Sequence, residues 1–261
     1  MLLSVWRYRN FIVSAIRADI KNRFANSRVA GFWLLVQPLV QVAIFATILS
    51  SVLSSRLPGV AGEYSYAIYL LAGISVWSLF SETLSRCMSV FVENGGLLKK
   101  ISFPRVCLPL IVIGAALVNF TALIGVMTIF LLVVEAFPGA VYLWLLPLSL
   151  LTVGFAAGLG ILLGVVNVFV RDLGPAVGVL LNLWFWSTPI VYPKSIVPEA
   201  VAAVLEWNPL LPLITSVQDI VLKAQAPHLP ALVPIAALAL VSLALAAVVF
   251  RRAAPEMVDV L

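Results

Sequence analysis

Glu82 and Arg86 are the two residues whose types and spacing could move protons, because they stand four positions apart within a long apolar run. Ionisable groups inside an apolar segment often form a proton relay or a gate. The same spacing places a carboxylate and a guanidinium on one helix face, where they neutralise each other. We expect the second arrangement, an ion pair near the inner end of the run, and keep the first as its alternative.

Sequence patterns of nucleotide, metal and nucleophilic chemistry are missing from the chain. It has no Gly-x-x-x-x-Gly-Lys-Ser/Thr loop that would hold ATP phosphates. Cys87 and Cys107 lack metal-ligand spacing, and we expect both to be small hydrophobes rather than a disulfide. The only histidine, His228, is expected to be a solvated loop residue. The sequence therefore predicts no catalytic residue, no metal site and no cofactor in this chain.

A basic loop, residues 92–105, joins the second and third apolar runs. It contains a Gly-Gly pair, then Lys99 and Lys100, then Pro104, which ends any helix begun before it. A short rigid helix between two membrane spans could be pushed by a soluble partner. A topogenic loop with no partner is the alternative, and composition alone favours that alternative.

The elements that carry these residues are too apolar for a soluble fold. Of 261 residues, 63% are hydrophobic and 10% are charged, whereas a soluble domain has about 25% charged residues. The net charge is +5, but the basic residues fall in the breaks between apolar runs, which indicates membrane topology rather than nucleic-acid binding. We expect an all-α integral membrane protein.

Six apolar runs are long enough to cross a bilayer, which takes about 20 helical residues. The fourth is too long for one perpendicular span, so we expect it to begin with a short outer segment that holds Pro138. The predicted spans are 30–53, 64–90, one within 106–134, one within 136–170, 173–191 and 229–250.

Lysine and arginine predict the orientation. With both termini in the cytoplasm, thirteen basic residues face inward and three face outward, of sixteen in all. The inward set is Arg7, Arg9, Arg17, Lys21, Arg23, Arg28, Arg86, Lys99, Lys100, Arg105, Arg171, Arg251 and Arg252; the outward set is Arg56, Lys194 and Lys223. The early arginines also interrupt the N-terminal stretch, so we expect no cleavable signal peptide there.

Two segments outside the spans have their own character. Residues 1–28 carry apolar positions at helical spacing, which predicts an amphipathic helix in the headgroup layer, or else a plain topogenic anchor. Arg9, Asp19 and Arg23 interrupt the clean separation of apolar and polar faces, so we expect part of its face to contact protein. Residues 194–223 predict either two short helices around Asn208-Pro209 that enter from the outer face, or a simple external loop. Residues 29–252 thus form one transmembrane domain, followed by a cytoplasmic tail at 253–261.

Four blocks in this order resemble those of the ABC-2 type permeases that export O-antigen, capsular polysaccharide or teichoic acid. The blocks are an Asn, Leu-Leu-Lys-Lys, Phe-Pro-Arg and Leu-Pro series within 94–109, Asn-Val-Phe-Val-Arg-Asp-Leu at 167–173, Ser-Thr-Pro-Ile-Val-Tyr-Pro at 187–193 and Trp-Asn-Pro-Leu at 207–210. The resemblance covers essentially the whole chain. One departure is Thr188, where Ser-Pro adjacency is the family pattern.

The resemblance implies a homodimer of six-span subunits with a channel at the dimer interface, in the bacterial inner membrane. It implies two copies of a separate P-loop ATPase subunit, which would bind ATP and Mg²⁺, and a lipid-linked polysaccharide substrate. Residues 1–28 resemble the family's interface helix, and Asn208 and Pro209 its outer re-entrant helices. The ATPase-coupling residues it implies are Glu93, Asn94, Lys99, Lys100, Phe103, Pro104 and Arg105.

Aromatic and amide side chains in spans one and five could line such a channel, because sugar rings stack on aromatic faces and their hydroxyls need polar partners. The candidates for sugar contact are Phe32, Trp33, Gln37, Gln41, Trp184 and Trp186. Most aromatics near span ends form an interfacial belt instead. Four glycines of span four, Gly154, Gly158, Gly160 and Gly164, would allow close helix approach, including approach in a dimer.

Three other functions remain alternatives. An ABC-2 exporter could carry a drug or a free lipid. A membrane enzyme acting on polyprenyl phosphate would need an acidic cluster, whereas Glu93 and Asp172 are isolated. An ion-coupled transporter would need ionisable groups in mid-span, and spans three, five and six have none.

Overall fold

A computed structural model describes residues 8–24, 36, 39–40, 64–96 and 104–260. These ranges hold eight α-helices and two 3-10 segments and contain no strand. The helices are α1 Arg9–Phe24, α2 Ser65–Glu93, α3 Cys107–Val133, α4 Leu145–Phe169, α5 Leu173–Trp186, α6 Glu199–Leu205, α7 Leu211–Lys223 and α8 Leu229–Val260. The 3-10 segments are Gly139–Trp144 and Lys194–Ile196.

Four of these helical stretches are long and apolar enough to cross a membrane: Ser65–Glu93, Cys107–Val133, Gly139–Phe169 and Leu229–Ala253. In lipid every backbone group must be paired inside the segment, which is why apolar runs of this length fold as helices. The all-α prediction is confirmed, and predicted spans two, three, four and six correspond to these stretches. Pro138 precedes the 3-10 segment that begins the fourth, as expected.

The structure does not confirm the count of six spans. Predicted span one lies outside the described residues except at positions 36, 39 and 40. Predicted span five is the 14-residue helix α5, which rises about 21 Å and is shorter than a bilayer core. After Trp186 the chain leaves the helix and continues through turns. Two helices, α6 and α7, flank Asn208-Pro209, as the first interpretation of that segment predicted.

Helix α2 forms the centre of the bundle and packs against α3, α4, α5 and α7. Tyr66, Leu70 and Phe80 on α2 are completely buried, together with Leu213 and Ile214 of α7. Helix α8 packs along the opposite side of α4. At the end of the bundle that holds the C-terminal part of α2, the rings of Phe91 and Phe250 are stacked, with centroids 5.3 Å apart.

Glycines of α4 let three helices approach closely within one subunit. A Cβ added at Gly160 would lie 2.7 Å from the Leu84 carbonyl oxygen on α2, and one at Gly164 would lie 2.7 Å from the Cys87 carbonyl oxygen. On the other side, a Cβ at Gly158 would lie 2.8 Å from the backbone of α8. These three glycines therefore serve packing inside the subunit and give no support for a dimer contact.

Two further predictions concern the cysteines and the histidine. Cys87 and Cys107 are free and buried, and His228 is exposed between α7 and α8. The expected small hydrophobes and solvated histidine are therefore confirmed.

Candidate functional site

The predicted coupling loop begins and ends at ordered helix termini. The Asn94 Nδ2 donates a hydrogen bond of 2.8 Å to the Val90 carbonyl oxygen, and the Asn94 backbone N–H bonds the same oxygen at 3.2 Å. These bonds satisfy a carbonyl that the helix end would leave unpaired. Glu93 beside it is exposed.

The second end of the loop is the first turn of α3. The Pro104 carbonyl oxygen accepts from the Cys107 N–H at 2.9 Å, and the Arg105 carbonyl oxygen accepts from the Leu108 N–H at 3.2 Å. The predicted coupling residues Lys99, Lys100 and Phe103 lie outside the described residues. Their role stays a prediction.

Trp184, one of the predicted sugar contacts, is packed inside the subunit. Its ring meets those of Phe80 and Trp77 on α2, with centroids 5.2 and 6.5 Å away. Its indole Nε1 donates to the Asn208 Oδ1 at 3.0 Å. Because this donor already has a partner, the geometry favours a structural role for Trp184.

Asn208 is the centre of a hydrogen-bonded group that we call the Asn208 cluster: Trp184, Thr188, Asn208 and Leu210. The Asn208 Oδ1 accepts from the Trp184 indole and from the Leu210 N–H, both at 3.0 Å. The Asn208 Nδ2 donates to the Thr188 hydroxyl at 2.8 Å, and that hydroxyl donates to the Trp184 carbonyl oxygen at 2.7 Å. The cluster joins the end of α5 to the start of α7, and Thr188, the one departure from the family pattern, is a structural member of it.

Two tyrosines of α2, which sequence reasoning missed, hold the turns after α5. The Tyr66 hydroxyl donates to the Val191 carbonyl oxygen at 2.6 Å. The Tyr69 hydroxyl lies 2.8 Å from the Pro189 carbonyl oxygen and 2.9 Å from that of Tyr192. We call these two residues the tyrosine clamp. A signal was present, since the irregular segment 187–193 has carbonyls that need donors from elsewhere.

Trp186, the other predicted sugar contact on α5, has a different environment. Its side chain is 53% exposed, and its carbonyl oxygen accepts from the Tyr192 hydroxyl at 2.9 Å. Burial raises the pKa of the Tyr192 phenol, which is protonated at neutral pH in any case and donates this hydrogen bond. Phe32, Trp33, Gln37 and Gln41 lie outside the described residues, and their role as sugar contacts stays a prediction.

A cavity of about 230 Å³ lies between α2 and α5. Two aromatic rings, Trp77 and Phe185, and two polar side chains, Ser78 and Asn182, line it with Ile74 and Leu181. Asn182 is exposed in the middle of the apolar helix α5. Sequence reasoning missed both polar residues, although an amide within an apolar run signals a protein interior or a water path.

At the other end of α2, charged groups join three helices. The Arg86 Nη2 donates to both carboxylate oxygens of Asp19 on α1, each at 2.9 Å. The Arg86 Nη1 lies 3.6 Å from the Glu82 Oε1, which also accepts from the Asn119 Nδ2 of α3 at 2.7 Å. We call these four residues the Arg86 cluster. The predicted Glu82–Arg86 ion pair is confirmed, and so is the expectation that part of the face of the N-terminal helix contacts protein.

The fold and the two clusters define a multi-pass helical membrane protein whose described polar groups hold helices together. Among the described residues, no group of three His, Cys, Asp or Glu side chains could hold a metal ion. The Asn208 cluster connects α5 to α7, and the Arg86 cluster connects α1 to α2 and α3.

The chain belongs to the ABC-2 type transporter family, whose sequence profile matches residues 11–222. It is 25% identical over 261 residues to the O-antigen export system permease protein RfbA of Myxococcus xanthus, covering 99% of this chain and 98% of the relative. It is 28% identical over 212 residues to the protein of that name from Klebsiella pneumoniae, covering 81% and 80%. The polysialic acid transport protein KpsM of Escherichia coli is 24% identical over 198 residues, or 74% of each chain.

Proposed function

We propose that this chain is the membrane-spanning subunit of an ATP-driven exporter that moves a lipid-linked polysaccharide across the bacterial inner membrane. The observation that carries the proposal is the similarity over 99% of the chain to an O-antigen export permease. The second similarity, to a polysialic acid transport protein, supports a polysaccharide cargo over a drug or a free lipid.

In this proposal the chain binds no ATP and performs no bond chemistry. Two copies of a partner ATPase hydrolyse ATP and push on the loop of residues 92–105, with both termini of this chain in the cytoplasm. Two copies of the chain form the channel between them. The capped helix ends at Asn94 and Pro104 support this role, because a loop anchored at both ends passes force to α2 and α3.

The cavity between α2 and α5 supports passage of sugar. Trp77 and Phe185 offer faces for the C–H side of a sugar ring, and Ser78 and Asn182 offer hydrogen bonds to hydroxyls. The exposed ring of Trp186 lies next to that of Phe185, with centroids 5.3 Å apart. We propose Asn182 and Trp186 as the described residues of the channel wall.

Deletion of the chain in its native host tests the function, with complementation by plasmid-borne variants. The deletion strain is expected to lose surface polysaccharide and to accumulate polyprenyl-linked polymer inside the cell. A strain that keeps normal surface polymer, or that loses export of a small lipid or drug instead, would overturn the cargo assignment.

Co-purification in mild detergent tests the partner. Wild-type protein is expected to bring down a P-loop ATPase, and a Lys99→Ala/Lys100→Ala/Arg105→Ala variant is expected to lose it or to lose stimulation of its hydrolysis. The matched control is Lys194→Ala/Lys223→Ala, which removes two basic side chains that were predicted to face the opposite side of the membrane. This variant is expected to retain the ATPase. Absence of any ATPase from the wild-type preparation would contradict the proposal.

A further inference from the structure

The Arg86 guanidinium stands between two carboxylates that belong to different helices. Both oxygens of Asp19 on α1 accept from its Nη2 at 2.9 Å. Glu82, one helical turn away on Arg86's own helix, lies 3.6 Å from its Nη1. The side chains of Arg86 and Asp19 are only 20% and 29% exposed, so water screens this contact less than it screens a surface pair.

The two contacts of Arg86 are unequal. The distance to Asp19 is that of a charge-assisted hydrogen bond, whereas 3.6 Å to Glu82 is an ion-pair distance too long for a hydrogen bond. The Arg86 Nη1 is buried and has no hydrogen-bond partner within the described part of the chain. Glu82 is thus a second acceptor close to the guanidinium, on the side of the nitrogen that makes no hydrogen bond in this arrangement.

Helix α1 is less buried than the helices next to it. It packs on α3, where the side chain of Ile16 fills the space left by the missing Cβ of Gly114. Many of its other side chains, including Phe11 and Val13, are exposed. Arg86 thus forms a charged contact between α1 and the buried helix α2. Its ion-pair partner Glu82 accepts a hydrogen bond from Asn119, which connects this contact to α3.

We propose that Arg86 is a positioning residue that exchanges between Asp19 and Glu82 when α1 moves, and that this exchange passes the movement to α2 and α3. The inference rests on the proposed function, since it assigns the movement of α1 to the ATPase cycle. Coupling of this kind needs an element with two discrete arrangements. One guanidinium with two carboxylates within reach supplies them.

The test measures export and ATP hydrolysis together, in the purified complex reconstituted with its ATPase. Asp19→Asn and Arg86→Gln are each expected to lower polymer exported per ATP hydrolysed by about fivefold or more, which is the usual range of a coupling free energy. The double variant is expected to be no worse than either single variant, because both break the same contact. Asp19→Glu, which keeps the carboxylate, is expected to recover part of the ratio.

A purely structural role would lower the amount of folded complex and leave the ratio of export to hydrolysis unchanged. The matched control is Glu206→Gln, which removes the carboxylate from the Lys194–Glu206 ion pair, also 2.9 Å long. It is expected to leave the ratio at the wild-type value. A wild-type ratio in both Asp19→Asn and Arg86→Gln overturns the exchange while leaving the exporter assignment intact. A wild-type complex with no ATPase or no polymer export defeats the exporter assignment instead.

Discussion

The two ends of α2 are held by different chemistry. Toward Ser65, the hydroxyls of Tyr66 and Tyr69 donate to backbone carbonyls at 2.6 to 2.9 Å, and both rings are buried. Toward Glu93, Arg86 binds carboxylates of two helices while keeping partial contact with solvent. The first end uses neutral groups with fixed acceptors, and the second uses a long charged side chain with two possible partners.

The difference makes the Ser65 end of α2 a rigid contact and the Glu93 end an adjustable one. A backbone carbonyl cannot move without its chain, and a buried hydroxyl that loses its acceptor has no water to replace it. An arginine side chain can rotate between carboxylates with little movement of its backbone. Under the proposed function, the outer turns after α5 would stay fixed on α2 while the contact with α1 changes.

The largest loss of stability is expected from a substitution where α2 packs closely against α4, because this contact holds the middle of α2 between its two ends. Gly160→Leu puts a side chain where even a Cβ lies 2.7 Å from the Leu84 carbonyl oxygen, so the two helices must separate. We expect a loss of about 3 kcal/mol or more in stability. Size-exclusion chromatography in detergent would show aggregate in place of a symmetrical peak.

Gly125→Leu on α3 is the matched control for Gly160→Leu. A Cβ there meets no described atom within 4 Å, so the same substitution should give the wild-type elution profile. If Gly160→Leu also elutes as wild type, the helices are not packed as closely as described, and the two ends of α2 need not share a common support.

The next effect is expected at the Asn208 cluster. Asn208→Ala removes three side-chain hydrogen bonds and leaves the Trp184 indole and the Leu210 N–H without an acceptor. We expect a loss of about 2 to 3 kcal/mol, since unpaired buried groups retain their desolvation cost. A melting curve followed by tryptophan fluorescence would measure it. Asn208→Asp keeps the acceptor oxygen but loses the donor to Thr188, so an equal loss in both variants would contradict this network.

The tyrosine clamp is expected to give a smaller loss. Tyr69→Phe deletes one buried hydroxyl whose single proton is shared between the Pro189 and Tyr192 carbonyl oxygens, which should cost about 1 to 2 kcal/mol. Tyr64→Phe is the control, because Tyr64 is 48% exposed and meets Phe130 through its ring. If the two variants have the same melting temperature, the Tyr69 hydroxyl does not hold the Ser65 end of α2 rigidly.

The sequence predicted the helices better than the contacts between them. Apolar length and the lysine and arginine pattern indicated helices with ends near those of α2, α3 and α4, because lipid permits few alternatives. Predicted span six begins with α8 at Leu229, but α8 continues to Val260, ten residues beyond the predicted end. The spacing of Glu82 and Arg86 predicted their ion pair. Asp19 could be suspected only as a misplaced charge, since its partner stands 67 positions away.

The missed features depend on long-range packing. Tyr66 resembles any aromatic residue near a span end until the turn at Val191 folds against it, 125 positions later. The break of predicted span five at Trp186 was hidden for a related reason, since Pro189, Ile190 and Val191 are apolar enough to continue a span. The structure instead buries them as turns held by tyrosine hydroxyls.

The smallest effect is expected at the exposed ion pair between Lys194 and Glu206, which lies at the same end of the bundle as the tyrosine clamp but is not buried. The two side chains are 43% and 64% exposed, so water and salt screen their attraction. Glu206→Gln should change stability by less than about 0.5 kcal/mol. Raising the salt concentration should leave the melting temperatures of wild type and variant closer still. A loss comparable to that of Tyr69→Phe would mean that charge stabilises this end of the bundle as much as the buried hydroxyls do.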